Sequence, residues 1–322
     1  MMNVAVGFDT SCYTTSAAAV NRQGEVVAFA RKLLPVEAGQ RGLRQSEAVF
    51  AHVKQMPLIM TELQQQLAGT EARIVAVCAS ASPCDGEDSY MPVFTVGLGH
   101  ARTAAALLDV PLYQTTHQRG HIAAGLIGNQ PFPQEHIALH LSGGTTDLLH
   151  CSQEGIRTLG SSLDLHAGQL VDRIGVKLGL CFPAGPALEK LALACMDAPR
   201  AAIPCSMEAN DLCCHLSGAE TKVLQLLQLG KLNNEQAALE VFDLLSRTVA
   251  RMLIAGCNAT KLQQALVVGG VASSTLLRSM LRKRLQKVRN PIHVVFGDPR
   301  YSADNAAGVA AIGMQRYLND EK

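Results

Sequence analysis

The stretch Ile137-Ala138-Leu139-His140-Leu141-Ser142-Gly143-Gly144-Thr145-Thr146 decides the fold, because its pattern occurs twice in the chain. It is an apolar strand that runs into a turn rich in hydroxyls and glycine, and a hairpin follows it. Near the start of the chain, Val4-Ala5-Val6-Gly7-Phe8 runs into Asp9-Thr10-Ser11, followed by two strands that meet at residues 21–24. A unit of this size in each half predicts the duplication of a whole domain.

The segments after each copy alternate between helical and strand patterns. Such alternation builds layers of helices on a sheet. Two duplicated α/β domains around a central cleft describe the actin-like ATPase (ASKHA) fold, which we therefore predict. We place the first domain at residues 1–130, completed by a C-terminal helix at 303–322. The second domain is placed at 131–302, with a helical insertion at about 200–260.

The composition is that of a folded protein without a strong overall charge. The 322 residues are 48% hydrophobic and 17% charged, with a net charge of +1. A chain this long buries two sizeable cores, and any site for an anionic polymer has to be a local patch. The ten cysteines form no C-x-x-C pair, which is typical of reduced, buried thiols. No leader pattern and no apolar run of membrane-spanning length is found in the sequence, so we expect a cytoplasmic protein without a membrane partner.

The two glycine- and hydroxyl-rich turns are candidate anion sites. Backbone N-H groups of Ser142-Gly143-Gly144-Thr145 can approach an oxyanion closely, because glycine has no side chain in the way. Asp9, at the matching turn of the first half, can hold a cation or water near bound phosphates. An ordinary hairpin entry is the alternative for this turn sequence.

Two histidines stand four residues apart in Thr116-His117-Gln118-Arg119-Gly120-His121. On a helix this spacing places both imidazoles on one face, where they can bind one metal ion. Asp304 is the candidate for a third, carboxylate ligand. A surface pair without metal is the alternative, and Gly120 weakens the helix that the metal site needs. The glutamate of the H-E-x-x-H zinc peptidases is absent.

Ordered motifs along nearly the whole chain make it resemble the tRNA threonylcarbamoyladenosine transferase family, once described as O-sialoglycoprotein endopeptidases. The letters below give the motif as the family has it, and the numbers give the matching residues of this chain. The motifs are E-T-S-C at 9–12, H-x-x-x-H at 117–121, S-G-G-H-T-x-L at 142–148, D-x-x-x-G-x-x-x-D at 164–172, L-G-L at 178–180, P-G-G-P at 183–186, F-S-G-L-K-T at 216–222, G-G-V-x-x-N at 269–274 and T-D-N at 303–305.

The resemblance implies an acyltransferase that moves a threonylcarbamoyl group from threonylcarbamoyl-AMP to the adenosine beside the anticodon of ANN-decoding tRNAs. It implies one divalent metal ion, iron or zinc, on His117, His121 and Asp304, and an adenine nucleotide, threonylcarbamoyl-AMP or ATP, as ligand. Asp9 and Ser11 are the predicted catalytic residues. The residues predicted to bind the nucleotide are His140, Leu141, Ser142, Gly143, Gly144, Asp172, Gly185, Gly269, Gly270 and Ser274. The implied partners are tRNA, a shorter paralogue of the same fold that packs near residues 56–67, and a small ATPase.

The chain also departs from the family pattern. Tyr13 and Thr14 replace the acidic pair after T-S-C, Thr145 replaces the histidine of S-G-G-H, and Ser274 replaces the asparagine of G-G-V-x-x-N. The lost carboxylates and amide remove a possible cation site and a group that forms two hydrogen bonds.

A second departure is the loop before the helix at Val96. The family's glycine-proline-glycine loop is absent, and residues 82–88 with extra residues stand in its place. Asp85, Glu87 and Asp88 in this loop are candidates to supply the missing carboxylates.

Three functions therefore compete. The first is the transferase. The second is a diverged paralogue with the same fold and metal site that acts as a nucleotide-binding or regulatory subunit without transferase activity, which the replaced residues favour. The third, a metallopeptidase, depends only on the family's old name and on H-x-x-x-H, and sugar kinases of this architecture lack the histidine pair.

One local run of basic residues is a candidate surface for tRNA phosphates. It consists of Arg278, Arg282, Lys283, Arg284, Lys287 and Arg289. A solvated helix face with no partner is the alternative interpretation of such a run.

Overall fold

A computed structural model describes residues 1–35, 43–86, 88–207, 211–303 and 306–322. The chain divides into two compact units. Unit 1 consists of Met1–Gln130 and Arg300–Lys322, and unit 2 consists of Pro131–Pro299.

Unit 1 contains a five-stranded sheet in the order β3-β2-β1-β4-β5. The strands are β1 (Met2–Thr10), β2 (Thr14–Asn21), β3 (Val26–Leu33), β4 (Ala72–Ser82) and β5 (Leu112–Thr116). The helices are α1 (Gln45–Leu67), α2 (Phe94–Leu108), α3 (His117–Leu126) and the last helix of the chain, α9 (Ala307–Asp320). β1 pairs antiparallel with β2 and parallel with β4, so the first hairpin extends a parallel sheet.

Helices cover both faces of this sheet. Alternate residues of β2 pack against helices on opposite faces. Ala17 and Ala19 pack with Met56 and Ile59 of α1, whereas Ala18 packs with the start of α9. Successive side chains of a strand point to opposite faces, so a run of small buried residues serves two helix layers.

Unit 2 repeats the topology of unit 1. Its sheet has the order β10-β9-β6-β7-β8, so that, as in unit 1, the hairpin lies on one side of the first strand and two parallel strands lie on the other. The strands are β6 (His136–Leu141), β7 (Thr146–Cys151), β8 (Ile156–Ser161), β9 (Gln264–Val268) and β10 (His293–Phe296). The helices are α4 (Ala167–Lys177), α5 (Gly185–Leu193), α6 (Ser217–Gln228), α7 (Asn234–Thr260) and α8 (Thr275–Leu285). The predicted duplication of an α/β domain is confirmed.

One helix begins earlier than its sequence pattern indicates. We predict a helix over residues 56–67, but α1 begins at Gln45. His52 and Gln55 are polar yet buried on the inner face of α1, and they interrupt the apolar periodicity of its first turns. Periodicity alone underestimates a helix whose inward face carries buried polar groups.

All ten cysteines are free thiols. Within the described ranges, no helix combines the length and the apolar character that crossing a bilayer requires.

Candidate functional site

The helix α3 brings the two histidines together in unit 1. Thr116 caps its N-terminus by accepting a hydrogen bond from the backbone N-H of Arg119 at 3.3 Å. The Nε2 atoms of His117 and His121 lie 3.1 Å apart. Because this spacing places the two residues one turn apart on one face, both lone pairs can be directed at a single point.

Glycine at position 120 lies in a close crossing of two helices, in which Gly308 is the residue that tolerates no side chain. A Cβ on Gly120 would lie 3.1 Å from Val309 of α9, and a Cβ on Gly308 would lie 1.9 Å from the Gly120 carbonyl oxygen. The two helices therefore cross at their glycines. This close crossing fixes α3 at the level of the residues between the two histidines.

Asp85 fastens the same helix from the loop after β4. The guanidinium of Arg119 donates to both carboxylate oxygens of Asp85, at distances of 2.7 to 3.0 Å. The Thr116 hydroxyl donates to Asp85 as well, at 3.2 Å. Asp85 thus holds the N-terminus of α3 through a bidentate ion pair, an arrangement with strict geometry.

Asp9 lies at the end of β1 and contacts the histidine pair from behind. Its Oδ1 is 2.9 Å from Nδ1 of His117 and also accepts a hydrogen bond from the Ser80 hydroxyl. The side chain of Asp9 is fully buried. Its Oδ2 has no hydrogen-bond partner among the residues that the structure describes.

Ser11 lies in a buried polar network that the sequence did not indicate. Its hydroxyl is 3.5 Å from the carbonyl oxygen of Thr14, and its own carbonyl oxygen is 2.8 Å from Nε2 of His52. Nδ1 of His52 is 2.7 Å from the Thr15 hydroxyl, which donates to Gln55. Burial lowers the pKa of His52, although the hydrogen bond with Ser11 and the charge of Asp9 act in the opposite direction. A polar residue on the inner face of a helix is the only sequence signal for this network.

The donor set of unit 1 fits a divalent transition metal. Two imidazole nitrogens converge, and a carboxylate contacts the far nitrogen of one ring, which is the common environment of metal-binding histidines. Asp304, the predicted third ligand, lies outside the described residues. The part of the chain that is described contains no set of three metal-binding side chains.

In unit 2, the loop Ser142–Thr145 packs on the N-terminus of α4. The backbone N-H of Gly168 donates to the carbonyl oxygen of Ser142 at 3.0 Å, and a Cβ on Gly168 would lie 2.7 Å from Gly143. The Thr146 hydroxyl accepts from the N-H of Ala167 at 2.8 Å. The loop is therefore fixed against a helix terminus, where backbone N-H groups carry partial positive charge.

The glycines of this region fall into two classes. Gly269 has a φ of +100°, and a Cβ there would lie 2.3 Å from the carbonyl oxygen of Leu141 and 2.9 Å from the ring of His140. A Cβ on Gly143, Gly144 or Gly270 would meet nothing within 4 Å. Gly269 is needed by the fold, whereas the other three leave open space beside the backbone.

The strands explain why these residues gather. β6 and β9 are parallel neighbours, so the turns after Leu141 and Val268 lie at the same edge of the sheet. The carboxyl edge of such a sheet is where α/β proteins usually bind ligands. The structure therefore brings together the predicted residues His140 to Gly144 and Gly269.

Sequence comparison agrees with the motifs and the topology. The family model for TsaD, the tRNA N6-adenosine threonylcarbamoyltransferase, matches residues 36–311. The chain belongs to this family.

Relatives of the TsaD family align along nearly the whole chain. The tRNA N6-adenosine threonylcarbamoyltransferase of Symbiobacterium thermophilum is 30% identical over 96% of this chain and 90% of its own length. That of Prochlorococcus marinus strain MIT 9303 is 29% identical over 99% and 92%. A probable bifunctional tRNA threonylcarbamoyladenosine biosynthesis protein of Methanothermobacter thermautotrophicus is 27% identical, and the match covers 98% of this chain but 56% of that protein.

Solved structures support the fold alone. HypF from T. kodakarensis superposes with a TM-score of 0.64 at 16% identity, covering 99% of this chain and 48% of that one. A ROK family glucokinase from Streptomyces griseus, solved with glucose and AMPPNP, gives 0.57 at 12% identity over 97% and 99%. These are proteins of the actin-like fold, so the predicted fold class is confirmed.

Two of the residues that the TsaD resemblance assigns to the nucleotide, Asp172 and Ser274, make structural contacts within unit 2, whereas Gly185 does not. Asp172 accepts the N-H of Ala184 at 2.8 Å, and burial raises its pKa although this hydrogen bond opposes the change. Ser274 caps α8 by accepting the N-H of Leu277 at 3.1 Å. A Cβ on Gly185 would make only an ordinary contact at 3.8 Å, so packing does not require glycine there.

The carboxylates that could replace the acidic pair of the TsaD family differ in their contacts and exposure. Asp85 is engaged with Arg119, as described above. Asp88 is exposed, and Glu87 lies outside the described residues. Tyr13, at one position of the lost pair, is 47% exposed, so its ring does not fill the core.

Half of the basic run has structural contacts within unit 2. Arg284 donates to Asp243 at 2.5 Å and to Ser246 at 2.8 Å. Arg278 donates to two backbone carbonyls and, like Arg282, stacks over the ring of Phe296. Arg282 is nevertheless exposed, as are the other cations of the run, Lys283, Lys287 and Arg289. The candidate tRNA surface is therefore smaller than the sequence indicates.

Proposed function

We propose that this protein transfers a threonylcarbamoyl group from threonylcarbamoyl-AMP to the adenosine beside the anticodon of ANN-decoding tRNAs. The donor is a mixed anhydride of a carbamic and a phosphoric acid. The adenosine amine attacks its carbonyl carbon, the bond to the phosphate oxygen breaks, AMP leaves, and the amine loses a proton. The observation that carries the proposal is the convergence of His117 and His121, at 3.1 Å between their Nε2 atoms, in a chain of the TsaD family.

Unit 1 would hold one divalent ion, zinc or iron, on His117, His121 and Asp304. Gly308, four residues after Asp304 in the chain, packs on Gly120 between the two histidines. When bound, such an ion supplies Lewis acidity and a template for a carbonyl or phosphate oxygen. Asp9, at the end of β1, and Ser11, just after it, are the proposed catalytic residues.

Unit 2 would hold the adenylate, or ATP, on the turn Ser142–Gly144 with Gly269 and Gly270. The open space beside three of the glycines, together with the N-terminus of α4, favours an anionic ligand at this edge. Contacts of His140, Leu141, Asp172, Gly185 and Ser274 with the nucleotide remain proposals. Asp172 and Ser274 would act indirectly, by holding the backbone segments to which they are hydrogen-bonded.

We also propose tRNA, a shorter paralogue of the same fold and a small ATPase as partners, with the paralogue packing near the outer face of α1. Phe50, Val53 and Leu58 of that helix are exposed apolar residues, consistent with such a contact. A cytoplasmic location, where these partners would be found, completes the proposal.

The test is a transfer assay with purified protein, threonylcarbamoyl-AMP and unmodified ANN-decoding tRNA, with and without the partner proteins, read by nucleoside mass spectrometry. Modified adenosine that disappears in His117→Ala and persists in His293→Ala, an exposed histidine of unit 2, is the expected result. Absence of product in every combination, with metal and nucleotide still bound, would instead support the regulatory paralogue, the function that the replaced Tyr13, Thr145 and Ser274 favour.

A further inference from the structure

We propose that Asp9 is a positioning residue for the metal ligand His117: its buried carboxylate accepts the Nδ1 proton and so directs the Nε2 lone pair toward the metal. The inference depends on the proposed metal site in unit 1. It changes the role expected for Asp9, which was to hold a cation or water beside bound phosphates.

The hydrogen-bond pattern sets the direction of this contact. Oδ1 of Asp9 lies 2.9 Å from Nδ1 of His117 and also accepts from the Ser80 hydroxyl, so it acts as an acceptor toward two donors. A neutral imidazole has one donor and one acceptor nitrogen. With the proton held at Nδ1, the ring's lone pair is at Nε2, the atom that lies 3.1 Å from Nε2 of His121.

The supporting groups lie on rigid elements. Asp9 is near the end of β1 and Ser80 is on β4, which are hydrogen-bonded parallel neighbours in the sheet. The ring of Phe94 also packs beside that of His117, with 5.7 Å between the two ring centroids, and limits the rotation of the imidazole. Ligands whose orientation is fixed by packing and by a buried acceptor hold a metal with little loss of conformational freedom.

The burial of Asp9 gives the contact an electrostatic consequence. The side chain is fully buried, and Oδ2 has no hydrogen-bond partner among the described residues. A buried charge that is incompletely compensated is costly. A divalent ion on the far side of the imidazole would offset this charge, so the metal and the carboxylate should stabilise each other.

The experiment measures metal binding without any transfer reaction. Zinc is titrated into metal-free protein against a chromophoric chelator, for the wild type and for Asp9→Asn, His117→Ala and Ser80→Ala. We expect Asp9→Asn to weaken zinc binding about 10- to 100-fold. Ser80→Ala, which removes the other donor to the same oxygen but keeps the carboxylate, should have a smaller effect than Asp9→Asn. The increase in melting temperature on adding zinc should also be smaller in Asp9→Asn than in the wild type.

A second measurement needs no substitution. Long-range ¹H–¹⁵N correlation spectra of the metal-free wild type, with the His117 signals assigned by their loss in His117→Ala, should show its proton at Nδ1. A proton at Nε2, or a folded Asp9→Asn protein that binds zinc as tightly as the wild type, would overturn the inference. Zinc that binds neither protein would remove the metal site itself, whereas normal zinc results with no transfer product would overturn only the proposed reaction.

Discussion

A Cβ atom on Gly308 would lie 1.9 Å from the carbonyl oxygen of Gly120, so α9 and α3 touch through their backbones. No side chain larger than hydrogen fits at position 308 unless one of the helices moves. Since Gly120 lies between His117 and His121, the position of the histidine pair depends on the last helix of the chain. Residues far apart in sequence are therefore coupled through one backbone contact.

Gly308→Ala should destabilise the protein and weaken zinc binding at the same time. Overpacking of a close contact costs about 1–3 kcal/mol, and a displaced α3 carries both imidazoles with it. Denaturant unfolding and the zinc titration measure the two effects. Gly99→Ala on α2 is the matched control, because a Cβ there meets nothing within 4 Å and should add about 0.4–1 kcal/mol of stability. Equal stability of the two variants would show that the helices do not cross as described.

Asp164→Asn should reduce stability at neutral pH and remove an acid transition. Partial burial of Asp164 raises its pKa, but hydrogen bonds from Ser217, Leu216 and Leu165 outweigh it and hold the pKa at about 2, below the ordinary 3.8. The folded state therefore favours the ionised form, and this stabilisation is present above pH 3.8 and lost as the pH falls toward 2. Because the carboxylate is a quarter exposed, solvent screening reduces the effect to about 1–2 kcal/mol.

Unfolding of the wild type and Asp164→Asn between pH 7 and pH 2 measures this difference, which should shrink below pH 4. Asp211→Asn is the control, since Asp211 is exposed and accepts a local hydrogen bond from the N-H of Cys213. A stability difference between Asp164→Asn and the wild type that stays constant to pH 2 would contradict the stabilising role of these hydrogen bonds.

His136 should make unit 2 less stable in mild acid. Burial lowers its pKa, although hydrogen bonds to Pro133 and Gln134 oppose the shift. Nδ1 lies 2.9 Å from the carbonyl oxygen of Pro133 and Nε2 is buried, so the folded state holds the ring neutral. The unfolded chain takes up the proton first, and stability falls as the pH drops below 6.5 by at most about 1.4 kcal/mol per pH unit.

The pH slope of unfolding between pH 7.5 and pH 5 tests this, with His136→Gln compared with the wild type and with His293→Gln, which removes an exposed histidine. We expect a shallower slope in His136→Gln alone. A slope that His136→Gln leaves unchanged would mean that His136 is protonated or accessible in the folded state.

The fold follows from the sequence to the extent that local pattern determines it. The repeated strand, turn and hairpin predict both sheets, and Asn234–Thr260 is helical as its periodicity indicates. The site follows less completely, because its supporting residues come from distant strands. Ser80 meets Asp9, and His52 meets Ser11, only through tertiary contacts, so the sequence around each of them does not show which group it will meet. Gly120 illustrates the same limit: helix propensity disfavours glycine there, whereas in the fold the carbonyl of Gly120 is closely approached by Gly308 of α9.

On α8 and just after it, removal of exposed cations should affect tRNA binding, whereas removal of a cation that pairs with Asp243 should affect stability. If the run binds tRNA, the double variant Lys283→Ala, Lys287→Ala should weaken binding uniformly across tRNA sequences and reduce the slope of log affinity against log salt by about 1–2. Its unfolding free energy should stay within about 0.5 kcal/mol of the wild type. Arg284→Ala should instead destabilise the protein, because it leaves the buried Asp243 with fewer partners.

Filter binding of tRNA from 50 to 300 mM salt, beside denaturant unfolding, separates these effects. An unchanged salt slope in the double variant would remove the basic run as a tRNA surface. It would leave the transferase assay as the test of the reaction itself.

The glycines at the carboxyl edge of the unit 2 sheet should separate binding from folding. Gly143→Ala and Gly144→Ala place a methyl group in open space, so stability should change by less than about 1 kcal/mol. A nucleotide whose phosphates lie against these backbone N-H groups would meet that methyl group and bind at least about 10-fold more weakly. Gly269→Ala is the contrasting variant, because its φ of +100° and the 2.3 Å approach to the Leu141 carbonyl make it a folding defect.

Titration with a fluorescent adenine nucleotide measures the affinity, and denaturant unfolding measures the stability. Unchanged nucleotide affinity in stable Gly143→Ala and Gly144→Ala proteins would place the nucleotide elsewhere and leave these two glycines without a role in its binding.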